Sequence, residues 1–140
     1  MKKFKLSVKE YQRILKSIQL REISLKSIRA EKSVEYLEKN LELNIKDSSK
    51  YIPDDKNIGF IYHFSLNAKS PDKDKPAVKI GVDFSVEYSN PKNIPIDPEF
   101  YDIFPNASLK YIVWPYFREI VQNTVSRMNL PPLTLPTIML

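Results

Sequence analysis

The chain has 140 residues, 42% hydrophobic and 28% charged, which fits one domain with a core that needs no covalent staples. It has no cysteine, so disulfide frameworks, thiolate nucleophiles and cysteine metal sites are excluded. The net charge of +5 is uneven, with 12 Lys/Arg against 6 Asp/Glu in residues 1–46 and 10 against 11 in the rest; acids alternate with the bases and no aromatic motif accompanies them, so a solvated lysine-rich surface is favoured over a nucleic-acid footprint.

The first residues, Met1-Lys2-Lys3-Phe4-Lys5, are basic, but no apolar run follows them, and no stretch approaches the length needed to span a bilayer. The expectation is a cytoplasmic protein without membrane insertion. Ser7 followed by Glu10 is a capping box, and Val8, Tyr11, Leu15 and Ile18 form a stripe, so a short helix is predicted to about residue 17. Ile18 and Leu20 then alternate in one parity, and Ile23 and Leu25 in the other. A strand with a bulge near Arg21-Glu22 explains the switch; one helix running on to about Ile28 is the alternative. Residues 30–36 read as a polar connection. Leu37, Leu41, Leu43 and Ile45 share one parity and predict a half-buried strand, followed by a turn cluster from Ser48 to Lys56.

Two strands carry the clearest pattern. Ile58, Phe60, Tyr62, Phe64, Leu66 and Ala68 take every even position, with His63, Ser65 and Asn67 among the odd ones, and Val78, Ile80, Val82, Phe84, Val86 and Tyr88 do so again after a polar loop, with Lys79, Asp83, Ser85 and Glu87 between them. This is an antiparallel hairpin with one face on a core and one in water. At ~3.3 Å per residue each strand is roughly 36 Å long, a broad platform whose edges need covering. A proline-rich linker runs from Ser89 to Pro98, and a helical turn can begin there. From Asn106 or Ala107 to Met128 the period becomes helical, with Leu109, Ile112, Val113, Tyr116, Ile120, Thr124 and Met128 on a stripe widened by Val121 and Val125. Pro115 either begins this helix or kinks it. Pro131-Pro132 ends it, and an apolar tail follows. The predicted division is one domain: a helical extension (1–17), an antiparallel sheet (18–90), a long helix (105–129) and a tail (130–140).

No catalytic constellation emerges. His63 is the only histidine and has no cysteine or second histidine beside it. With two glycines, Gly59 and Gly81, there is no phosphate-cradling loop. No cofactor and no covalent chemistry are expected. What the pattern leaves over is apolar surface on a sheet face, a helix and a tail. It can pack within one copy, or serve self-association or binding of other polypeptides.

Specific residues then appear in the C-terminal third. Trp114-Pro115-Tyr116-Phe117-Arg118-Glu119 resembles the Phe-Pro-Tyr-Ala-Arg-Glu run of the SecB family of export chaperones. Val125-Ser126-Arg127 resembles its Val-Ser-Arg, Leu130-Pro131-Pro132-Leu133-Thr134-Leu135 its Phe-Pro-x-Leu-x-Leu, and Ile23-Ser24-Leu25 its Ile-Ser-Phe. The resemblance implies an α+β fold: a four-stranded antiparallel, Greek-key-like sheet with a long C-terminal helix on one face and here a short N-terminal helix. It also implies a holdase for unfolded polypeptide clients, assembled as a homo-oligomer, either a dimer or a tetramer built as a dimer of dimers. Client contacts would fall to Val34, Tyr36 and Leu37 in the crossover and to Leu130, Leu133 and Leu135 after the helix. The helix positions Leu109, Ile112, Val113, Tyr116, Ile120 and Thr124 would form the oligomer interface.

Three features depart from the family pattern. The chain ends soon after Leu135, where the family carries a second C-terminal helix and a tail that contacts the SecA motor. It is basic where export SecB is acidic. A helix precedes the first strand, which looks more like the SecB-like chaperones paired with toxin–antitoxin systems. Contact with SecA therefore stays open, and a dedicated partner-binding protein of the same fold is the alternative to a general chaperone. A small enzyme or nucleic-acid binder is the third reading.

Overall fold

The fold was analysed in a computed structural model, which describes residues 5–52, 54, 57–133 and 135. Part of the expected Pro53-Asp54-Asp55 turn and most of the terminal tail lie outside the described residues.

Helix α1 (Val8–Ser17) starts where the cap predicts, with Ser7 Oγ accepting the Glu10 N–H at 3.1 Å. Half of the capping box is replaced, because the Glu10 carboxylate binds the Arg13 guanidinium. Tyr11, Leu15 and Ile18 of the expected stripe pack on the core, but the buried face is shifted at two positions. Ile14 is fully buried, while Val8, in the first turn, is 74% exposed. Tyr11 lies against Phe100, and its hydroxyl shares a 2.8 Å hydrogen bond with Ser108.

Residues 19–32 form a strand, β1 (Gln19–Lys32), and not a continued helix. Its register shifts between Leu20 and Glu22, as the parity switch predicts, and again between Leu25 and Ser27. The second bulge returns Ile28 and Ala30 to the face that holds Ile23 and Leu25. The polar connection expected at 30–36 is therefore shorter, because Ala30, Glu31 and Lys32 still pair with Ile80, Lys79 and Val78, and a single 3₁₀ turn (Val34–Tyr36) follows.

Strand β2 (Glu42–Ile52) begins later and runs further than expected. The Ser48–Ile52 stretch, read as turn, pairs in unbroken register with β3 (Asn57–Lys69). Pairing with a long central strand overrides the weak strand propensity of Asp47, Ser48 and Ser49. β2 is exposed along its whole length and is not half-buried. β3 and β4 (Val78–Ser89) form the expected hairpin, and their even positions from Ile58 to Ala68 and from Val78 to Tyr88 are all buried. The sheet order is β1-β4-β3-β2, antiparallel throughout.

The long helix is entered earlier than its expected start at Asn106 or Ala107. Helix α2 (Glu99–Phe104) leads through a π turn (Pro105–Leu109) into α3 (Lys110–Arg127). The wider turn takes up Pro105, whose ring and missing N–H break the i→i−4 ladder. Pro115 lies inside α3 and does not begin it. Leu109 of the π turn and Val113, Trp114, Phe117, Val121 and Val125 of α3 face the sheet, and all are buried. Trp114 and Phe117, absent from the expected stripe, are central: the Phe117 ring stacks on Phe64 at 4.6 Å, and Trp114 meets Phe64 edge-on at 5.6 Å. Ile112, Ile120 and Thr124 are half-buried, and Tyr116 is exposed.

Phe117 is fully buried, so Phe117→Ala is expected to destabilise the fold by ~3–5 kcal/mol, read as a lowered denaturant midpoint at unchanged slope.

Candidate functional site

Four strands spaced ~4.8 Å apart make a sheet wider than one helix, which is ~10 Å across. α3 covers the central strands β3 and β4, and the helix-side residues of both edge strands are left open. On β1 these are Leu20, Leu25 and Ile28; on β2 they are Leu43, Ile45 and Tyr51. A channel of apolar surface therefore flanks α3 on each side.

The channel on the β2 side deepens into a cavity of about 430 Å³. Leu66, Ala68 and Val78 of the central strands and Val125 of α3 line it. Leu37, Leu41 and Leu43 close one side, and Leu130 to Leu133 the other. Polar ties fix both walls. Ser70 Oγ, fully buried, donates to Glu38 Oε2 at 2.6 Å, and Lys73 Nζ lies 3.7 Å from Glu38 Oε1. These bonds pin the crossover to the β3–β4 loop. After the helix, Lys32 Nζ donates to the Met128 carbonyl at 2.6 Å and Arg118 Nε to the Leu135 carbonyl at 2.8 Å. Asn129 takes a left-handed backbone with φ 59° just past α3, which turns the chain back.

The cavity brings together three of the six expected client residues: Leu37, Leu130 and Leu133. Val34 projects from the 3₁₀ turn and is 65% exposed, Tyr36 is half-buried against the core, and Leu135 is buried. Sequence reasoning did not name Leu41 or Leu43 for this wall, although their shared parity with Leu37 was visible. Glu38 and Ser70 carried no sequence signal, because their partnership spans 32 residues. Of the residues expected at an oligomer interface, Leu109 and Val113 are fully buried in the chain's own core. Ile112, Tyr116, Ile120 and Thr124 lie four residues apart along another flank. Tyr116 leans on Phe84 of β4, the neighbour of β1, with ring centroids 6.3 Å apart.

Between the two apolar ends of β2 the polar side chain of Asp47 faces the helix. It accepts a hydrogen bond from the Tyr62 hydroxyl and lies 3.7 Å from Lys110 Nζ of α3. Burial, the hydrogen bond to Asp47 and the negative charge of Asp47 all push the Tyr62 hydroxyl well above the usual phenol range.

The opposite sheet face is mostly open and polar, although Ile61 on it is buried. Arg29, Lys46, Lys50 and Lys79 are interleaved there with Glu22, Glu31, Glu42 and Glu87. In its centre His63 Nδ1 lies 2.6 Å from Asp83 Oδ1, and Ser27 Oγ donates to Asp83 Oδ2 at 2.9 Å. Partial burial raises the Asp83 pKa. The hydrogen bonds from His63 and Ser27 and the nearby positive charges outweigh that effect, and the net shift is downward. Among the described residues no group of three or more His, Asp or Glu is placed to hold a metal ion, and no helix is long and apolar enough to cross a membrane.

No protein-family model and no curated protein matches the chain in sequence. Its fold is nevertheless shared. The chain superposes on the Mycobacterium tuberculosis Rv1957 SecB-like chaperone, solved in complex with a ChAD peptide from the Rv1956 HigA1 antitoxin, with a TM-score of 0.77 at 19% identity over 91% of this chain and 92% of that one. A protein of unknown function from Streptococcus agalactiae matches with a TM-score of 0.51 at 10% identity over 85% and 96%. The architecture is thus α+β and SecB-like: a four-stranded antiparallel sheet, a long C-terminal helix and a short N-terminal one.

A carboxyl group whose folded pKa lies below its unfolded value of about 3.9 stabilises the fold above that pH and loses this contribution as pH falls through the folded value. Asp83→Asn is therefore expected to flatten the acid limb of the stability profile below about pH 4, measured as denaturant midpoints from pH 2 to pH 6. An acid limb identical to that of the parent chain would show that the His63–Asp83–Ser27 row adds no pH-dependent stability.

Proposed function

We propose that the chain is a SecB-like chaperone that holds unfolded or partly folded polypeptides in the channel between α3 and β2, without covalent chemistry or a cofactor. One observation carries this reading: the cavity of about 430 Å³, walled by leucines and held open by polar ties, in a SecB-like fold. Leucine walls bind by apolar burial and read little sequence, as a holdase requires. The mixed charge of the outer sheet face favours client holding that does not depend on an acidic SecA dock.

The expected homo-oligomer follows from the energetics. One buried Leu or Phe contributes roughly 1.5–3 kcal/mol, while association costs about 4–15 kcal/mol. Two or more linked grooves raise avidity on the order of 10²–10⁴. The flank formed by Ile112, Tyr116, Ile120 and Thr124 beside the exposed residues of β1 is the surface proposed for self-association, as a dimer or as a tetramer made from two dimers. Leu109 and Val113, buried within the chain, would support that flank from behind. A second reading, a chaperone dedicated to one partner such as an antitoxin, is favoured by the antitoxin peptide bound to the M. tuberculosis protein. Protein export and a cytoplasmic setting fit the general reading.

The purified chain is expected to suppress aggregation of unrelated unfolded proteins if it is a general holdase, and only that of its partner if it is dedicated. Leu43 is exposed in the cavity wall, so Leu43→Asp should leave circular dichroism unchanged and weaken client binding about tenfold or more. Full client affinity in this variant would remove the channel from the proposal. Light scattering is expected to find a dimer or tetramer, and Tyr116→Glu to shift it toward monomer; a parent chain that is monomeric with and without client would overturn the assembly.

A further inference from the structure

The helix-side face of β2 is not uniformly apolar. Leu43, Ile45, Asp47, Ser49 and Tyr51 pair in turn with Ala68, Leu66, Phe64, Tyr62 and Phe60, so all five point to the α3 side. Leu43 lines the leucine cavity, and Ile45 is paired with Leu66, another of its lining residues. Tyr51, 49% exposed, stacks on Tyr101 at 4.4 Å and forms a second apolar platform. Between them Asp47 ties β2 to β3 through the Tyr62 hydroxyl and to α3 through Lys110. The Asp47 and Lys110 side chains retain 26% and 34% of their exposure, so both can still be reached from the channel.

We infer that the Asp47–Lys110 bridge is a specificity gate. The channel takes an extended segment with two apolar anchors about eight residues apart, matching Leu43 and Tyr51 with Asp47 midway, roughly 26 Å at ~3.3 Å per residue, and a polar residue between them. This rests on the peptide-holding reading above and adds what kind of segment is held. An apolar side chain laid over the bridge would strip water from a carboxylate and an ammonium without replacing their hydrogen bonds, which is unfavourable. A Gln, Ser, Lys or Glu at that point supplies a partner. Long uninterrupted apolar runs, such as membrane-spanning segments, are thereby disfavoured, and strand-like segments with a polar centre are preferred.

The test uses two fluorescent peptides that differ at one position. Each has Leu anchors eight residues apart and polar residues between; the central residue is Gln in one and Leu in the other. The parent chain is expected to bind the Gln peptide about fivefold more tightly, although Leu is the more hydrophobic residue. The double variant Asp47→Val with Lys110→Met should reverse that order, and Asp47→Asn, which keeps an acceptor for Tyr62, should narrow the difference while preserving the fold. Equal binding of both peptides by the parent chain, or an unchanged preference in the double variant, overturns the gate and leaves the holding function standing. Binding of neither peptide overturns both.

Discussion

The shape of this molecule follows from a mismatch in width. A four-stranded sheet offers more apolar surface than a single helix can cover. The chain places α3 over the two strands with the strictest alternation, β3 and β4, where Phe64, Trp114 and Phe117 interlock. What remains on β1 and β2 is not a failure of packing. Leu25, Ile28, Leu43 and Ile45 would be core residues if a second layer lay over them, and in the lone chain they are exposed. Two apolar channels are the geometric remainder of placing one rod on a broad platform.

An open apolar channel tends to collapse unless its walls are held apart, and the ties that hold these walls are polar and long in sequence separation. Glu38 and Ser70 fasten the crossover, Lys32 reaches the last carbonyl region of α3, and Arg118 holds the returning chain at Leu135. Each bond is worth only about 0.5–1.5 kcal/mol, more where a charge is involved. Their value lies in geometry, since they join segments that apolar contact alone would allow to slide. Asp47 does the same for β2, and in doing so interrupts the apolar character of the surface it fastens.

The sequence made the central hairpin legible because a buried strand face needs every second side chain to be apolar, and Ile58 to Ala68 and Val78 to Tyr88 obey that without exception. The bulge at Leu20–Glu22 was legible for the same reason. β2 was not, because Asp47 to Ser49 lie on an edge where no core enforces alternation; strand pairing alone holds them. On α3 the apolar positions are too many for one face. Ile112, Tyr116 and Ile120 satisfy the same spacing of four as Leu109, Val113 and Phe117, so periodicity could not separate the sheet-facing line from the outward one. The C-terminal motif pointed to the fold, but the cavity wall depends on Glu38 meeting Ser70, and that meeting is a property of the folded chain.

The two channels are not equivalent, and the difference bears on how the proposed chaperone would hold clients without hiding its own sites. The β2 channel is walled on both sides, deep beside Leu66 and Val78, and interrupted by charge at Asp47. Such a surface suits a flexible ligand that can thread a cleft and present a polar atom midway. Among the described residues the β1 side shows no such walls: Leu25, Ile28 and Tyr116 stand out on an open surface beside the outer edge of a long strand. A flat surface gains most from a rigid, self-complementary partner, because both copies meet already ordered and lose little further freedom. In the proposed assembly, self-association through the flat side and clients on the walled side would leave every groove free, the arrangement in which avidity grows with the number of subunits.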